Sequence, residues 1–453
     1  MGAFHAYDIR GVYNVDFDAQ TAYKVGAFLP GLLGTGRVLV GRDCRLSSPE
    51  IHDNLVRGLQ DAGADVYDLG LSSTPQVYFG TARYGFDASV QITASHNPGN
   101  CNGMKVSRTN ALPVGYDSGL GQIEQWIREG RPTPVAPVRG KYFEKSVRED
   151  YLAFLRGYME DISCLKVAMD ISNGMASLFV KDIFGDAPSY INLEMDGNFP
   201  AHEPNPLIPA NVRQLQEHVL ATKADIGVIY DGDADRVMFV DEKGQFISPD
   251  LIIAFLGHYF LEKKGLRGTV LQDIRSSKAV GEYLAPMGGT MATWKVGRAF
   301  AAPRLREIDG LWGGELAGHY YFKDFFYSDS GMLASILVLD TLADFRKKGV
   351  SMSQAIGRIA SYCSSGEINF RVEDKSGAME AVKAYFTSQE TPGAFMDFDG
   401  YRVEFPQWWF NIRPSNTEPY LRFICEASSE QLLDEKIERT TAIITEKFGG
   451  TRV

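Results

Sequence analysis

The chain has 453 residues, enough for three or four domains at roughly 100–150 residues each. At 44% hydrophobic and 23% charged it reads as an ordinary globular protein with ample core. The net charge of −11 argues against broad binding to nucleic acid or an anionic membrane, although a local cluster of Arg and Lys can still hold a small phosphorylated ligand.

Five scattered cysteines (Cys44, Cys101, Cys164, Cys363, Cys425), odd in number and without C-x-x-C spacing, fit a reduced compartment better than a disulfide framework or a zinc site. The start, Met1–Asp8, has neither the charge nor the apolar core of a signal peptide, and Ala6 spoils a myristoylation signal. The longest apolar run, Met332–Leu339, is broken by Asp340 and is too short to span a bilayer. The expectation is a soluble cytoplasmic protein, monomer or homodimer, with no nucleic-acid or membrane partner.

In chain order, Tyr7–Gly11 reads as an exposed polar loop with a turn glycine. Arg37–Asp43 is a short strand ending in an acid. Ser47 and Glu50 form a capping box that opens a helix, with Ile51, Leu55, Val56 and Leu59 at helical spacing and Gly63 as a stop. Lys166–Gly174 and Gly268–Ser277 repeat the strand that runs into Asp and small polar residues. Some 40 to 65 residues after each of the three comes a second strand ending in an unusual loop, here roughly located from the pattern.

The first such loop follows Ala88–Ile92 and holds Thr93-Ala94-Ser95-His96-Asn97-Pro98, then Gly99, Asn102-Gly103 and Lys105. A hydroxyl just past a buried strand, with flexible backbone amides and a cation close by, suits a phosphate group. The second follows Asp225–Tyr230 and reads Asp231-Gly232-Asp233-Ala234-Asp235-Arg236. Three carboxylates so close repel one another unless a cation neutralises them, and oxygen ligands suit Mg²⁺ or Ca²⁺, not Zn²⁺. An EF-hand is rejected, because Arg236 stands where the sharp turn needs Gly and Val237–Val240 looks like a strand. The third follows Gly310–Trp312 and reads Gly313-Gly314-Glu315-Leu316-Ala317-Gly318-His319, a carboxylate and an imidazole suited to adjacent sugar hydroxyls. In open α/β sheets ligands gather at such strand ends.

The segment Arg131–Gly140 is a Pro-rich linker, and Asp241–Gly244 a turn before the third block. The last ninety or so residues change character, with alternating Ile368–Glu373 and Tyr401–Phe405 and an amphipathic helix near Leu432–Phe448, all read from the pattern. In this part Asn411–Pro419 offers the Arg413 guanidinium, the Ser415 and Thr417 hydroxyls and a turn at Asn416, a site for a phosphate that is bound and not broken; Arg422 adds a second cation. The expected fold is α/β: three tandem mixed α/β domains of similar topology (1–145, 146–244, 245–364) plus a smaller C-terminal α+β domain (365–453), around a central cleft.

Together the four loops resemble one family, the α-D-phosphohexomutases, in the family's order and over essentially the whole chain. Thr93–Pro98 with Asn102-Gly103-x-Lys105 is similar to the phosphoserine loop, Asp231–Arg236 to the metal loop, Gly314–His319 to the sugar loop and Arg413–Pro419 to the phosphate loop. The resemblance implies a reversible transfer between C1 and C6 of a hexose phosphate. Ser95, phosphorylated at rest, gives its phosphoryl group to the sugar, and a hexose 1,6-bisphosphate turns around and returns the other phosphate. It implies Mg²⁺ on Ser95, Asp231, Asp233 and Asp235, and the bisphosphate as activator. Lys105 and Arg10 become candidates for proton transfer or charge stabilisation. His96 supports the loop and, as an adjacent side chain expected to diverge from Ser95, is not a triad base. Arg236, Arg275, Arg298, Glu315, Ala317, His319, Arg413, Ser415, Asn416, Thr417 and Arg422 bind substrate.

Three positions depart from the family pattern: Ala317 where Ser is usual, Arg298 where His is frequent, so that an extra cation reaches the distal phosphate, and Arg275 where relatives place Lys. The context Glu315–Phe322 followed by Asp329-Ser330-Gly331 looks like the mannose branch, with glucose phosphates as further substrates. The alternatives are a phosphoglucosamine or phospho-N-acetylglucosamine mutase, a Mg²⁺-dependent sugar phosphatase, and a sugar-phosphate-binding protein without catalysis.

Overall fold

The computed structural model describes residues 2–415 and 419–453. Four sheets follow one another along the chain. The first three share a kernel of two parallel strands and an antiparallel third. In the first sheet Arg37–Arg42 lies parallel to Ala88–Ile92, and Cys101–Arg108 runs back along the latter. In the second, Val167–Asp170 and Ile226–Tyr230 are parallel and Val237–Asp241 returns. In the third, Gly268–Asp273 and Trp312–Gly314 are parallel and Tyr320–Phe322 returns. The fourth is antiparallel throughout, centred on Trp408–Pro414 and Leu421–Ala427.

The kernel strands are apolar on both faces because helices cover them, which is why they read as near-continuous buried runs. The second and third sheets share one core, into which the helix Gly331–Lys347 buries almost its whole surface, from Met332 through Phe345. No helix among the described residues is long and apolar enough to cross a membrane.

The kernel places function. In each of the three sheets the loop singled out by sequence is the turn from the second parallel strand to the antiparallel one, so the three loops are topological equivalents. Several expectations are corrected. Tyr7–Gly11 is not a free loop: Ile9–Val12 is an edge strand with Arg10 opposite Gly103, and Asp8 and Ile9 are buried. The stretch around Asn102–Lys105 is strand, so Lys105 is held at fixed register opposite Gln91.

Ser47 makes no capping box; the helix Ser48–Asp61 begins without a side-chain cap, and the Ser47 hydroxyl accepts a bond from Asn102 at 2.9 Å. The Pro-rich segment straps back on the first unit, with the Ala136 and Gly140 amides donating to the Asp61 and Gln60 carbonyls. Asp241–Gly244 is a hairpin turn inside the second sheet, because Phe246–Ile247 pairs back on Val237–Asp241. Cys363–Ser364 joins the fourth sheet. Phe246–Ile247 thus stays with the second sheet and Cys363–Ser364 with the fourth.

Candidate active site

Ser95 sits at φ 51, left-handed backbone that a non-glycine residue adopts only where the surroundings impose it. Its amide donates to Thr93 Oγ1 at 2.9 Å, and its own hydroxyl, nearly inaccessible to solvent, donates to Asp231 Oδ2 at 2.9 Å. The first and second loops meet here at backbone distance: a Cβ on Gly232 would lie 2.5 Å from the Ser95 carbonyl oxygen, so only glycine fits.

Asp231, Asp233 and Asp235 are fully buried, with one oxygen of each within 4.8 Å of the others. Lys105 Nζ donates to Asp233 at 2.7 Å and to Asp235, and Thr74 Oγ1 donates to Asp233 at 2.5 Å. Two oxygens, Asp233 Oδ1 and Asp235 Oδ1, remain buried without a hydrogen-bond partner. Orphaned carboxylate oxygens in a dry site are costly unless a cation meets them, so this set fits a hard divalent ion. Burial, together with Asp233 and Asp235, pushes the Asp231 carboxyl well above the ordinary aspartate range, a repulsion that a cation would remove. A second grouping, Asp235, His319 and Asp329, is compact as well. There the imidazole already serves Asp329, with Nδ1 donating to Oδ2 at 2.6 Å, so the oxygen-only set is the better seat.

The cations around Ser95 are firmly charged. Burial alone would lower Lys105, but Asp233 and Asp235 overrule it and raise the ammonium above its usual range. Arg10 pairs with Asp8 and donates to Asn97 Oδ1 at 3.1 Å. His96 does not diverge from Ser95 as expected: the left-handed turn brings its Nδ1 to 3.5 Å from Ser95 Oγ, at the edge of hydrogen-bonding reach. Burial, then Arg236, Arg10 and Lys105, hold that imidazole well below the usual histidine range, hence neutral.

On the third loop, Glu315 accepts from the Gly297 amide at 2.9 Å and from the Tyr321 hydroxyl. Its backbone neighbours bridge to the metal loop, where Arg236 pairs with His319. Arg275 is forked on Asp273, at 3.2 Å through Nε and 2.7 Å through a terminal nitrogen. Arg298 is not an uncommitted cation for a distant phosphate. Its Nε donates to Asp329 at 3.0 Å, a terminal nitrogen donates to the Ala111 carbonyl at 2.9 Å, and the guanidinium lies 3.6 Å over the Tyr78 ring. A buried guanidinium must be paired, and these partners fix it between the first and third units.

Arg413 and Arg422 stand opposite each other on adjacent strands of the fourth sheet, each with a carboxylate, Asp399 and Glu367. The Ser415 amide donates to the Tyr420 carbonyl at 2.9 Å. Asn416 and Thr417 lie outside the described residues.

One cleft of about 870 Å³ is lined by Arg10, His96, Lys105, Asp235, Arg236, Arg275, Arg298, Glu315, Ala317, His319 and Arg422. It thus joins residues from all four units, and its size suits a sugar-sized ligand. Six of its lining side chains are cationic although the chain is acidic overall. Sequence reasoning missed Thr74, Tyr78, Glu367 and Asp399, which come from helices and loops with no local motif.

Four family models match in tandem, described as Phosphoglucomutase/phosphomannomutase, alpha/beta/alpha domain I at residues 1–132, domain II at 149–244, domain III at 248–362, and C-terminal domain at 367–442. The chain belongs to the phosphoglucomutase/phosphomannomutase family. A phosphomannomutase of Escherichia coli is 35% identical over 458 residues, covering 98% of this chain and 99% of its own. Phosphohexose mutases of Xanthomonas campestris are 34% identical over 441 residues, with 96% and 97% covered. A phosphoglucomutase/phosphomannomutase family crystal structure from Burkholderia thailandensis superposes with TM-score 0.87 at 28% identity, covering 100% of this chain and 99% of its own. This member of the family is a mutase, an isomerase of carbohydrate metabolism acting on phosphohexoses.

Proposed function

We propose that the enzyme interconverts mannose 1-phosphate and mannose 6-phosphate, and glucose phosphates as a further substrate, through a phosphoserine at Ser95 and a hexose 1,6-bisphosphate. The observation behind this reading is the placement of the Ser95 hydroxyl, 2.9 Å from the first carboxylate of a buried three-aspartate loop whose other two carboxylates hold Lys105. A phosphoryl carrier needs its oxygen beside concentrated, fixed charge, and little else among the described residues offers that. The name carried by the E. coli relative supports mannose as the first substrate to test. The reaction suits a cytoplasmic enzyme, working as monomer or homodimer.

In the first half-reaction the bond between phosphorus and Ser95 Oγ breaks and a new bond forms to the O6 or O1 hydroxyl of the bound monophosphate. The sugar hydroxyl loses its proton as Ser95 Oγ leaves as an alkoxide and regains one. In the second half, after the bisphosphate turns around, Ser95 Oγ gives up its proton and bonds to the other phosphorus, the bond from that phosphorus to the sugar oxygen breaks, and the freed sugar oxygen takes up a proton. Lys105 and Arg10, both firmly cationic, stabilise charge on the phosphoryl and Ser95 oxygens and do not serve as bases. His319, fixed through Nδ1 by Asp329, keeps Nε2 for the sugar. The phosphate not being transferred is assigned to Arg413, Ser415, Asn416, Thr417 and Arg422, with Arg275 linked to Arg422 through Glu367.

Family members generally depend on Mg²⁺. Asp231, Asp233, Asp235 and the Ser95 phosphate would hold it, and bound there it would neutralise negative charge on the transferring group. Closure of four units round the cleft excludes water, which would otherwise make the enzyme a phosphatase.

The test is turnover of mannose 1-phosphate and glucose 1-phosphate with Mg²⁺ and a trace of glucose 1,6-bisphosphate, for wild type and Ser95→Ala. Conversion by the wild type with near-total loss in the variant is expected. Full activity in Ser95→Ala, or release of inorganic phosphate in place of isomerisation, would reject the proposal.

A further inference from the structure

A guanidinium offers five N–H donors in a rigid planar fork. Arg45, whose side chain is wholly shielded from solvent, has an acceptor for each of them. Its Nε donates to Asp43 Oδ2 at 3.0 Å. One terminal nitrogen donates to the carbonyls of Pro98 (2.5 Å) and Cys101 (3.0 Å), the other to those of Ser95 (2.8 Å) and Asn97 (2.7 Å). Three of the five acceptors are thus backbone carbonyls of the loop that carries Ser95, and a fourth is that of Cys101, where the next strand begins.

The support extends outward. Asp43 is itself held by the Ser48 hydroxyl at 2.5 Å and accepts from the Arg45 amide at 3.0 Å. From the second unit, the Phe199 ring lies 4.8 Å from the guanidinium, and a Cβ on Gly197 would come within 2.7 Å of the Arg45 Cα. Arg45 therefore cannot shift toward or away from the loop without displacing a neighbour.

The kernel repeat gives a second, independent line. Asp43-x-Arg45 follows the first parallel strand of the first sheet, and Asp273-x-Arg275 follows the corresponding strand of the third. Both arginines pair with the aspartate two residues earlier, Arg45 through Nε alone and Arg275 through Nε and a terminal nitrogen. Arg275 then reaches the cleft, whereas Arg45 is turned beneath the Ser95 loop and does not line the cleft.

We propose that Arg45 is a positioning residue for phosphoryl transfer: its fork sets the left-handed turn at Ser95 and so aims Ser95 Oγ at the metal loop. A trans peptide points its N–H opposite its C=O. Holding the Ser95 carbonyl inward therefore also turns the His96 amide away from Arg45, on the opposite face of the loop. Lysine in this place keeps the charge but not the planar fork, so it cannot meet the four carbonyls together. The inference rests on the phosphoserine reading given above.

The experiment compares wild type, Arg45→Lys and Arg45→Met in steady-state turnover of mannose 1-phosphate, and in single-turnover phosphorylation of Ser95 by glucose 1,6-bisphosphate, read by mass spectrometry. Circular dichroism checks folding. A misplacement of the order of 1 Å at a reacting atom costs about 10- to 100-fold. We therefore expect kcat and the phosphorylation rate of Arg45→Lys to fall together by roughly that factor, and Arg45→Met to fall further. KM should stay within about threefold of wild type, because the sugar and distal phosphate groups are untouched.

Turnover of Arg45→Lys within threefold of wild type, or a rise in KM matching the fall in kcat, overturns the proposal. Should both Arg45 variants fail to fold, Asp43→Asn loosens the fork while leaving Arg45 in place. There a lower phosphorylation rate at unchanged KM supports the proposal, and an unchanged rate overturns it. A wild type that never carries phosphate on Ser95 defeats the phosphoserine reading itself; a phosphorylated wild type matched by Arg45→Lys defeats only the role of Arg45.

Discussion

At the scale of single residues, what distinguishes the site is unpaired or over-paired charge. Lys105 is shared by two buried aspartates, and a Met in its place would leave both without their cation while removing charge from beside Ser95. Lys105→Met is expected to lower kcat by at least about 100-fold, in line with the loss of a preorganised charge stabiliser, and a kinetic comparison at saturating substrate checks it. The orphaned oxygens of Asp233 and Asp235 lead to a prediction about metal. Chelation with EDTA should abolish turnover, excess Mg²⁺ should restore it, and Mg²⁺ alone should raise the thermal midpoint by relieving repulsion among three buried carboxylates. An unchanged midpoint in a Mg²⁺ titration would contradict the assignment of that loop as the seat.

At the scale of elements, the three loops are equivalent turns of one repeated kernel, to which the proposed mechanism gives three different ends: nucleophile, metal and sugar. The kernel was legible in the sequence because buried parallel strands are short apolar runs bounded by Asp, Gly and small polar residues, as in Ile226–Tyr230 and Ala88–Ile92. The three loops that meet at the cleft stood out in the sequence because they concentrate rare combinations of Ser, Asp, Glu, His and Gly within a few residues. Pairing was not legible. Ile9–Val12 looked like a loop because an edge strand carries polar residues on its open side, and nothing local to it announces Cys101–Arg108 as its partner. Nor could the sequence place Arg298 on Tyr78 and Asp329, a contact set by the packing of the first unit on the third.

The distal end carries its own prediction. Glu367 lies 3.2 Å from Arg422 and 3.9 Å from Arg275, a carboxylate seated between two cations to which the proposed mechanism assigns a phosphate. Glu367→Gln should lower KM for hexose phosphate by roughly two- to fivefold, the worth of a partly exposed ion pair, with kcat little changed. A higher KM would mean that Glu367 orients the arginines and does not compete with the ligand.

At the scale of the molecule, the second and third units share one core, whereas the fourth has its own and meets the third through hydrogen bonds and the Trp294–Phe398 ring pair. Ser277 donates to Glu426 at 2.6 Å, Trp409 Nε1 donates to the same carboxyl at 2.8 Å, and Arg402 donates to the Ile274 and Ser276 carbonyls. Burial, then the nearby Asp250, push Glu426 up to about 7. A carboxyl raised on folding favours the folded state while protonated. Its contribution is complete below the unfolded value near 4.5 and is lost as pH rises through about 7.

The size of that loss is on the order of 3 kcal/mol. Glu426→Gln should therefore flatten the pH dependence of stability between about 4.5 and 7 and stabilise the protein most above it, as urea unfolding at pH 5 and pH 8 would read. Equal pH profiles for variant and wild type would contradict this.

In the proposed mechanism Ser95 gives its phosphoryl group to the sugar and takes the sugar's other phosphate in exchange. The most direct measurement incubates the enzyme with ³³P-labelled glucose 1,6-bisphosphate and Mg²⁺, maps the label by peptide mass spectrometry, and then adds unlabelled mannose 1-phosphate. The account predicts label on Ser95, at up to one group per chain, leaving into hexose phosphate when the sugar is added. Label on another residue, or label discharged to water as inorganic phosphate at the same rate with or without sugar, would contradict it.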